Sequence, residues 1–288
     1  MNSLVNGVAA DYLAIDDRAI HYGDGLFETI LCKDRRLYYW SQHYARLQRS
    51  AEKIKLECPD EKVLLDDIAR LLGDSGNGEA HAIKIIVTRG SGHPRGYLFD
   101  KKITPDHLVF ISPIDKNYSS LLSLQLLSGD LFVCEQQASI NRNLAGLKHL
   151  NRLENVLARN EWRDEAGPDF IEGLMLNADR HVIEGTMSNL FTVKDQQLCT
   201  PRLELSGVRG VMRDAVLDIA RDNGIDISVR DMRIEEICDM DELFITNSLI
   251  GMKKINHITD KKFTENKITD TIFDALLKTK TDHVQTIE

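Results

Sequence analysis

The feature that most constrains the fold is a series of short aliphatic and β-branched runs separated by turn residues. LFETILC (26–32), AIKIIVTRG (82–90), HLVFISP (107–113), FIEGLMLN (170–177), LFTVK (190–194) and ELFITN (242–247) each have the length and branching of a strand. FIEGLMLN meets RHVIEG across Asn177-Ala178-Asp179, and LFTVK meets LCTPR across Asp195-Gln196-Gln197, as two hairpins. Consecutive hairpins of this kind do not occur in an all-helical chain or in a strictly alternating β/α chain. The expected class is therefore α+β or mixed α/β, with strands outnumbering the helices that cross between them.

Helical periodicity fills the intervals. From Ser41 onward Tyr44, Leu47, Ala51 and Ile54 share a face. After Pro59, which a first turn tolerates, Val63, Leu64, Ile68 and Leu71 form a second stripe that Gly73 stops, and the loop DSGNGE follows. Further helices are predicted over about 149–166, 208–223 and 268–279. The first carries Leu150, Leu153, Val156, Leu157 and Trp162, with Gly167-Pro168 as its stop. ISVR (227–230) reads as one more strand. The turn-rich PIDKNYSS (113–120) lies between strands and marks a domain boundary. The predicted division is a smaller N-terminal α/β domain over 1–115, a linker over 116–120, and a larger C-terminal domain over 121–288 that opens on LSLQLL.

Composition removes several classes of function. A chain of 288 residues, 42% hydrophobic and 28% charged, is long enough for two cored domains and is neither disordered nor fibrous. A net charge of -9 opposes the broad basic surface that nucleic acid or an anionic membrane attracts, so an anionic substrate requires a local basic pocket. No apolar run reaches membrane-spanning length and the start, MNSLVNGVAADYLAIDD, lacks the pattern of a leader, so the cytoplasm is the expected compartment. Cys32, Cys58, Cys134, Cys199 and Cys238 are scattered and odd in number, and no histidines pair at helical ligand spacing; reduced thiols and no metal are expected.

Three segments carry chemistry. In AGLKHLNRLEN (145–155) a lysine, Lys148, follows small residues, where it can be held inward and its amine freed as a nucleophile. In VIEGTMSNLF (182–191) Glu184 ends a strand before Gly185, so its carboxylate can face a cleft. In GVRGVMR (207–213) glycines precede a helix, whose free N–H groups suit a phosphate. Singly, each has an ordinary structural reading: a solvated lysine, a turn-capping glutamate, plain turn chemistry.

In order and spacing these segments, with HYGDGLFETI (21–30) and HYARLQRSA (43–51), resemble the fold type IV pyridoxal-phosphate enzymes, from about Asn6 to about Ile255. That family includes branched-chain aminotransferases, D-amino-acid transaminases and aminodeoxychorismate lyases. The resemblance implies a two-domain fold with pyridoxal 5'-phosphate held chiefly by the larger C-terminal domain, and a homodimer. It matches Lys148 with the lysine that carries the cofactor as a Schiff base and Glu184 with the acid that pairs with the pyridine nitrogen. Arg46 matches a phosphate-binding arginine. Val211 and Met212 through their backbone, and Ser248 with Asn247 beside it, match the remaining phosphate positions. KHLNRLEN, GVRGVMR and RGSGHPRGY (89–97) most resemble the lyases, which implies conversion of 4-amino-4-deoxychorismate to 4-aminobenzoate and pyruvate; a D- or branched-chain amino-acid transaminase is the other reading. For the substrate carboxylates the resemblance points first to Arg95, then Arg89, with Tyr97 lining the same pocket. The family's R-G-x-G-x-R-G-Y is one residue shorter than this stretch, which contains His93-Pro94.

Overall fold

A computed structural model describes residues 2–73, 78–162 and 170–287. The chain divides into two compact units, one of Met1–Lys116, Leu147–Asn151 and Thr281–Glu288, the other of Asn117–Gly146 and Arg152–Lys280. The division falls within the stretch read as a linker. Two later segments nevertheless return to the first unit, and one of them carries Lys148.

In the first unit β1 (Ser3–Val5), β2 (Val8–Ala9), β3 (Gly25–Lys33), β4 (Arg36–Tyr38), β5 (Ala80–Thr88) and β6 (Asp106–Pro113) join the C-terminal strand Val284–Thr286 in one antiparallel sheet. Its centre is the β3/β5 pair, in register from Gly25↔Thr88 to Lys33↔Ala80. Helices α1 (Arg18–Tyr22), α2 (Trp40–Lys53) and α3 (Glu61–Leu72) accompany it. Leu47 and Ala51 of α2 and Leu64, Ile68 and Leu71 of α3 share a core with Leu26, Ile30, Ile83, Ile85 and Val109 of the strands, as the helical stripes require. Full burial of each Leu or Ile contributes roughly 1.5–3 kcal/mol. Val63 lies off that face and is exposed.

The segment 147–151 does not begin a helix. Phe27 N–H donates to the Lys148 carbonyl at 2.9 Å, Leu150 N–H donates to Gly25 O at 3.0 Å, and His149 bridges to Leu26. With its backbone groups committed to β3, this stretch cannot also make helical bonds, and α5 is confined to Leu153–Arg159. The predicted end at Gly167-Pro168 lies outside the described residues. Of the expected apolar stripe Leu153, Val156 and Leu157 are 70%, 55% and 52% exposed among the described residues, whereas Trp162, beyond α5, is buried.

In the second unit α4 (Ser120–Ser123) stands where LSLQLL was expected to begin the domain, and β7 (Leu127–Val133) follows. The sheet also contains β8 (Phe170–Leu176), β9 (Val182–Gly185), β10 (Asn189–Lys194), β11 (Gln197–Pro201), β12 (Ile227–Arg230), β13 (Glu242–Asn247) and β14 (Gly251–Ile258), with β15 (Lys261–Lys262) folded back on β14. The strand order is β12-β11-β10-β13-β14-β7-β8-β9. The two expected hairpins, β8/β9 and β10/β11, are antiparallel, whereas β7 pairs in parallel with both β14 and β8. Helices α6 (Val211–Asp222), α7 (Ile234–Ile237) and α8 (Lys267–Thr279) complete the unit. Leu174, Leu190, Leu243, Ile245 and Ile255 are central to its core. Among the described residues no helix is long and apolar enough to cross a membrane.

Gly25 lies where β3 meets both β5 and the 147–151 segment: a Cβ there would approach Val87 O to 2.5 Å and Leu150 Cδ1 to 2.8 Å. Overpacking of this kind costs about 1–3 kcal/mol. Gly25→Ala is therefore expected to lower unfolding free energy by about that amount, measured as a drop in the denaturation midpoint at unchanged m-value.

Candidate active site

Lys148 is half-buried, with its Nζ 4.2 Å from the centroid of the Phe27 ring. The same ring holds the Lys84 ammonium at 5.1 Å, and Lys84 also lies 5.7 Å from Phe110. Burial lowers the Lys84 pKa below the usual lysine range. Aromatic faces attract such partly desolvated cations, so β3 and β5 create a zone favourable to amines.

Glu28, the next residue along β3, is buried and accepts a bidentate pair of hydrogen bonds from Arg46, Nε to Oε1 at 2.8 Å and Nη2 to Oε2 at 2.5 Å. His43 Nδ1 meets the same carboxylate at 2.6 Å. Burial by itself raises the Glu28 pKa, but the Arg46 charge and the hydrogen bonds from Arg46 and His43 outweigh it and hold the group at about 2. Burial lowers the His43 pKa, the Glu28 contacts oppose the shift, and the charges of Arg46 and Lys148 add to it. Nδ1 therefore donates to Glu28, and the buried Nε2 has no hydrogen-bond partner among the described residues. Glu28 and His43 lie inside two motifs quoted from the sequence, yet neither was picked out; a glutamate on a strand gives no sign that it is buried until its partner on α2 is known.

The loop 89–100 is fixed from inside the first unit. Arg18 donates through Nη1 to Gly96 O and Leu98 O and through Nη2 to Tyr97 O, at 3.0–3.3 Å. His93 meets Arg89 O through Nε2 at 2.9 Å and accepts Asp100 N–H at Nδ1, 3.1 Å. Arg89 is held in place on several sides: Nε donates to Asp24, Nη1 to Lys55 O and Nη2 to Ile54 O, and its guanidinium covers the Phe99 ring at 4.1 Å. Arg95 and Tyr97 are exposed.

In the second unit Glu184 is buried at the end of β9. Its Oε2 accepts the Val208 N–H at 2.8 Å and the Asn189 Nδ2 at 3.3 Å, while Asn189 Nδ2 also donates to Val208 O. The glycines of GVRG make room for this arrangement. A Cβ on Gly207 (φ 80°) would sit 3.2 Å from Glu184 Cδ, and one on Gly210 would reach 2.0 Å from Asn189 Oδ1. Gly210 caps α6 with no side-chain hydrogen bond, and Val211 and Met212 behind it are buried. Uncapped N–H groups at a buried helix start are matched to an anionic oxygen. Arg213, absent from the expected set, is buried in that first turn; it donates to Pro201 O, and its Nε has no hydrogen-bond partner among the described residues.

Asn247 serves the turn that follows β13. Its Oδ1 accepts Leu249 N–H and Ile250 N–H at 2.9 and 2.8 Å, and its Nδ2 donates to Met187 O at 3.1 Å. That turn presents the partly exposed Ser248. Among the described residues no cluster of three or more His, Cys, Asp or Glu is placed to hold a metal.

The sequence profile of the family described as amino-transferase class IV matches residues 25–258, and the chain belongs to that family. It is 37% identical over 265 residues to an aminodeoxychorismate lyase from Vibrio harveyi, an alignment covering 92% of this chain and 93% of the relative. A crystal structure of 4-amino-4-deoxychorismate lyase from Pseudomonas aeruginosa superposes with a TM-score of 0.82 at 34% identity, covering 96% of this chain and 99% of that one. A D-alanine aminotransferase from Listeria monocytogenes is 26% identical over 255 residues, 88% of this chain and 84% of the relative. The resemblance read from the sequence and the two-sheet mixed fold are thereby borne out.

Acid should unfold the first unit through the Glu28 cluster. Both Glu28 and His43 have folded pKa values below their unfolded ones, so the unfolded state takes up more protons and stability falls with pH. The loss begins below about 6.5 through His43 and continues from about 4.5 down towards 2 through Glu28. Glu28→Gln should shorten the lower part of this window while destabilising the protein at neutral pH by about 3–5 kcal/mol, because Arg46 loses its buried partner. Denaturation midpoints across pH check both.

Proposed function

We propose that the chain is a cytoplasmic, homodimeric, pyridoxal-5'-phosphate-dependent lyase that converts 4-amino-4-deoxychorismate to 4-aminobenzoate and pyruvate, a step supplying folate precursors. The observation that carries this reading is the placement of Lys148: its backbone is fixed on β3 and its amine rests on the Phe27 ring. Its similarity to lyases across nearly the whole chain selects the reaction. Apolar side chains left exposed on both units, among them Tyr12, Ile15, Tyr97 and Leu98 on one and Leu153 and Val156 on the other, favour association with a second copy.

The residues fit the cofactor. When bound, pyridoxal phosphate supplies an electron sink for negative charge that develops beside the substrate nitrogen. Glu184, held ready by Val208 N–H and Asn189, suits a protonated ring nitrogen. The Val211 and Met212 N–H groups, the Ser248 hydroxyl and the Arg46 guanidinium, oriented by Glu28, suit the phosphate. Asn247 contributes by shaping the Ser248 turn. Lys148 would hold the cofactor through its amine and, with the substrate amine in its place, its Nζ would take the proton from the substrate ring carbon. The C–O bond to the enolpyruvyl group would break as the ring becomes aromatic, and the enolpyruvate, on gaining a proton, would leave as pyruvate. Arg95 is the cation for a substrate carboxylate, Tyr97 lines the same place, and Arg89 holds the base of their loop.

Offered aminodeoxychorismate alone, the protein should release equal amounts of 4-aminobenzoate and pyruvate without an added oxo acid. Rapid exchange between D- or branched-chain amino acids and 2-oxoglutarate, with no pyruvate from aminodeoxychorismate, would establish a transaminase instead. Glu184→Gln should retain cofactor and fold but lower kcat by roughly 100-fold or more, since a neutral amide does not stabilise a protonated ring nitrogen; near-normal turnover at saturating cofactor removes Glu184 from that role.

A further inference from the structure

Glu172, which no chemical motif marks, occupies the third position of β8 and is 2% exposed. Five donors converge on its carboxylate. Oε1 accepts Gly173 N–H at 3.0 Å, Thr186 Oγ1 at 2.5 Å and Arg159 Nη1 at 2.9 Å; Oε2 accepts Ser188 Oγ at 2.9 Å and Met187 N–H at 3.3 Å. Three of these donors belong to consecutive residues of the turn between β9 and β10.

Several backbone groups of that turn have partners of their own. Gly185 N–H donates to Ser188 O at 2.7 Å and Thr186 N–H to Gly173 O at 2.9 Å. Thr186 O accepts from Asn155 at 3.0 Å, and Met187 O accepts from Asn247 at 3.1 Å. A Cβ on Gly185 would meet Ser188 Oγ at 2.3 Å and Glu172 Cγ at 2.9 Å, so the turn closes directly onto the carboxylate. Glu184 enters the turn and Asn189 leaves it, and Asn189 Nδ2 donates back to Glu184 Oε2. The separation of those two residues is therefore a property of the turn, and the turn is held by Glu172.

We infer that Glu172 is a positioning residue for the cofactor-facing carboxylate: by gathering Thr186, Met187 and Ser188 it keeps Glu184 and Asn189 in mutual register. This rests on the proposed role of Glu184. Removing the carboxylate frees the turn, and Glu184 loses the fixed orientation that a ring-nitrogen partner needs.

The test compares the full-length wild-type protein with Glu172→Gln and with the double variant Thr186→Val/Ser188→Ala, which keeps Glu172 and its Arg159 partner. Three quantities are read: thermal midpoint, dissociation constant of pyridoxal phosphate for the resolved apoprotein, and the position of the bound cofactor's visible absorption band. Both variants are expected to fold yet bind the cofactor roughly tenfold or more weakly with a shifted band. A lowered thermal midpoint with unchanged cofactor affinity and band in both variants overturns the inference and leaves Glu172 a stabilising residue only. If Glu172→Gln does not fold, the double variant decides by the same criterion. A wild-type protein that takes up no pyridoxal phosphate defeats the functional proposal itself, and is told apart because the wild type alone reveals it.

Discussion

The first unit depends on a backbone pairing: the hydrogen bond from Phe27 N–H to Lys148 O, flanked by Leu150 N–H to Gly25 O. It brings a segment more than a hundred residues distant in sequence onto the central strand of the first sheet. A lysine on a solvated helix has many rotamers and a hydrated ammonium. One fixed to a strand, with its stem along the sheet and its Nζ on Phe27, has fewer of both. The glycine at position 25, the short α5 and the return of 147–151 to the first unit all follow from this pairing.

Around this frame buried charge is compensated locally. Glu28 is matched by Arg46 and His43, Glu172 by Arg159 and four further donors, and Asp24 by Arg18 and Arg89. Such pairs contribute little net stability compared with apolar substitutes, but losing one partner is costly. They fix geometry: α2 on β3 through Glu28, the loop bearing Arg95 through Arg18, the turn after Glu184 through Glu172. Lys84 instead has aromatic faces for company.

Much of the architecture was legible because strand and helix periods differ. The hairpins at 170–185 and 190–202 and the stripes at Leu47, Ala51, Leu64 and Ile68 lie where alternation and 3.6-residue spacing place them. What stayed hidden was tertiary. The apolar spacing after His149 has a helical period, yet a long-range strand pairing overrides its first turn. β14, GMKKINHI, is too polar to announce a sheet centre, and its parallel partner β7 is set by topology. Of the candidate site, Lys148, Glu184 and the glycines of GVRG were visible as motifs, whereas the contacts of Arg89 with two backbone carbonyls and Asp24 have no sequence signal. Glu28, Glu172 and Arg213 carry no local signal because burial by distant elements defines them.

The most direct test of the central claim is to find which amine carries the cofactor. Holoprotein treated with borohydride, digested and mapped by mass spectrometry should bear a single pyridoxyl group on Lys148, and Lys148→Ala should bear none and show neither turnover nor the visible band of the linked cofactor. A pyridoxyl group on Lys84 or any other lysine, or a Lys148→Ala protein that still turns over, would contradict the account.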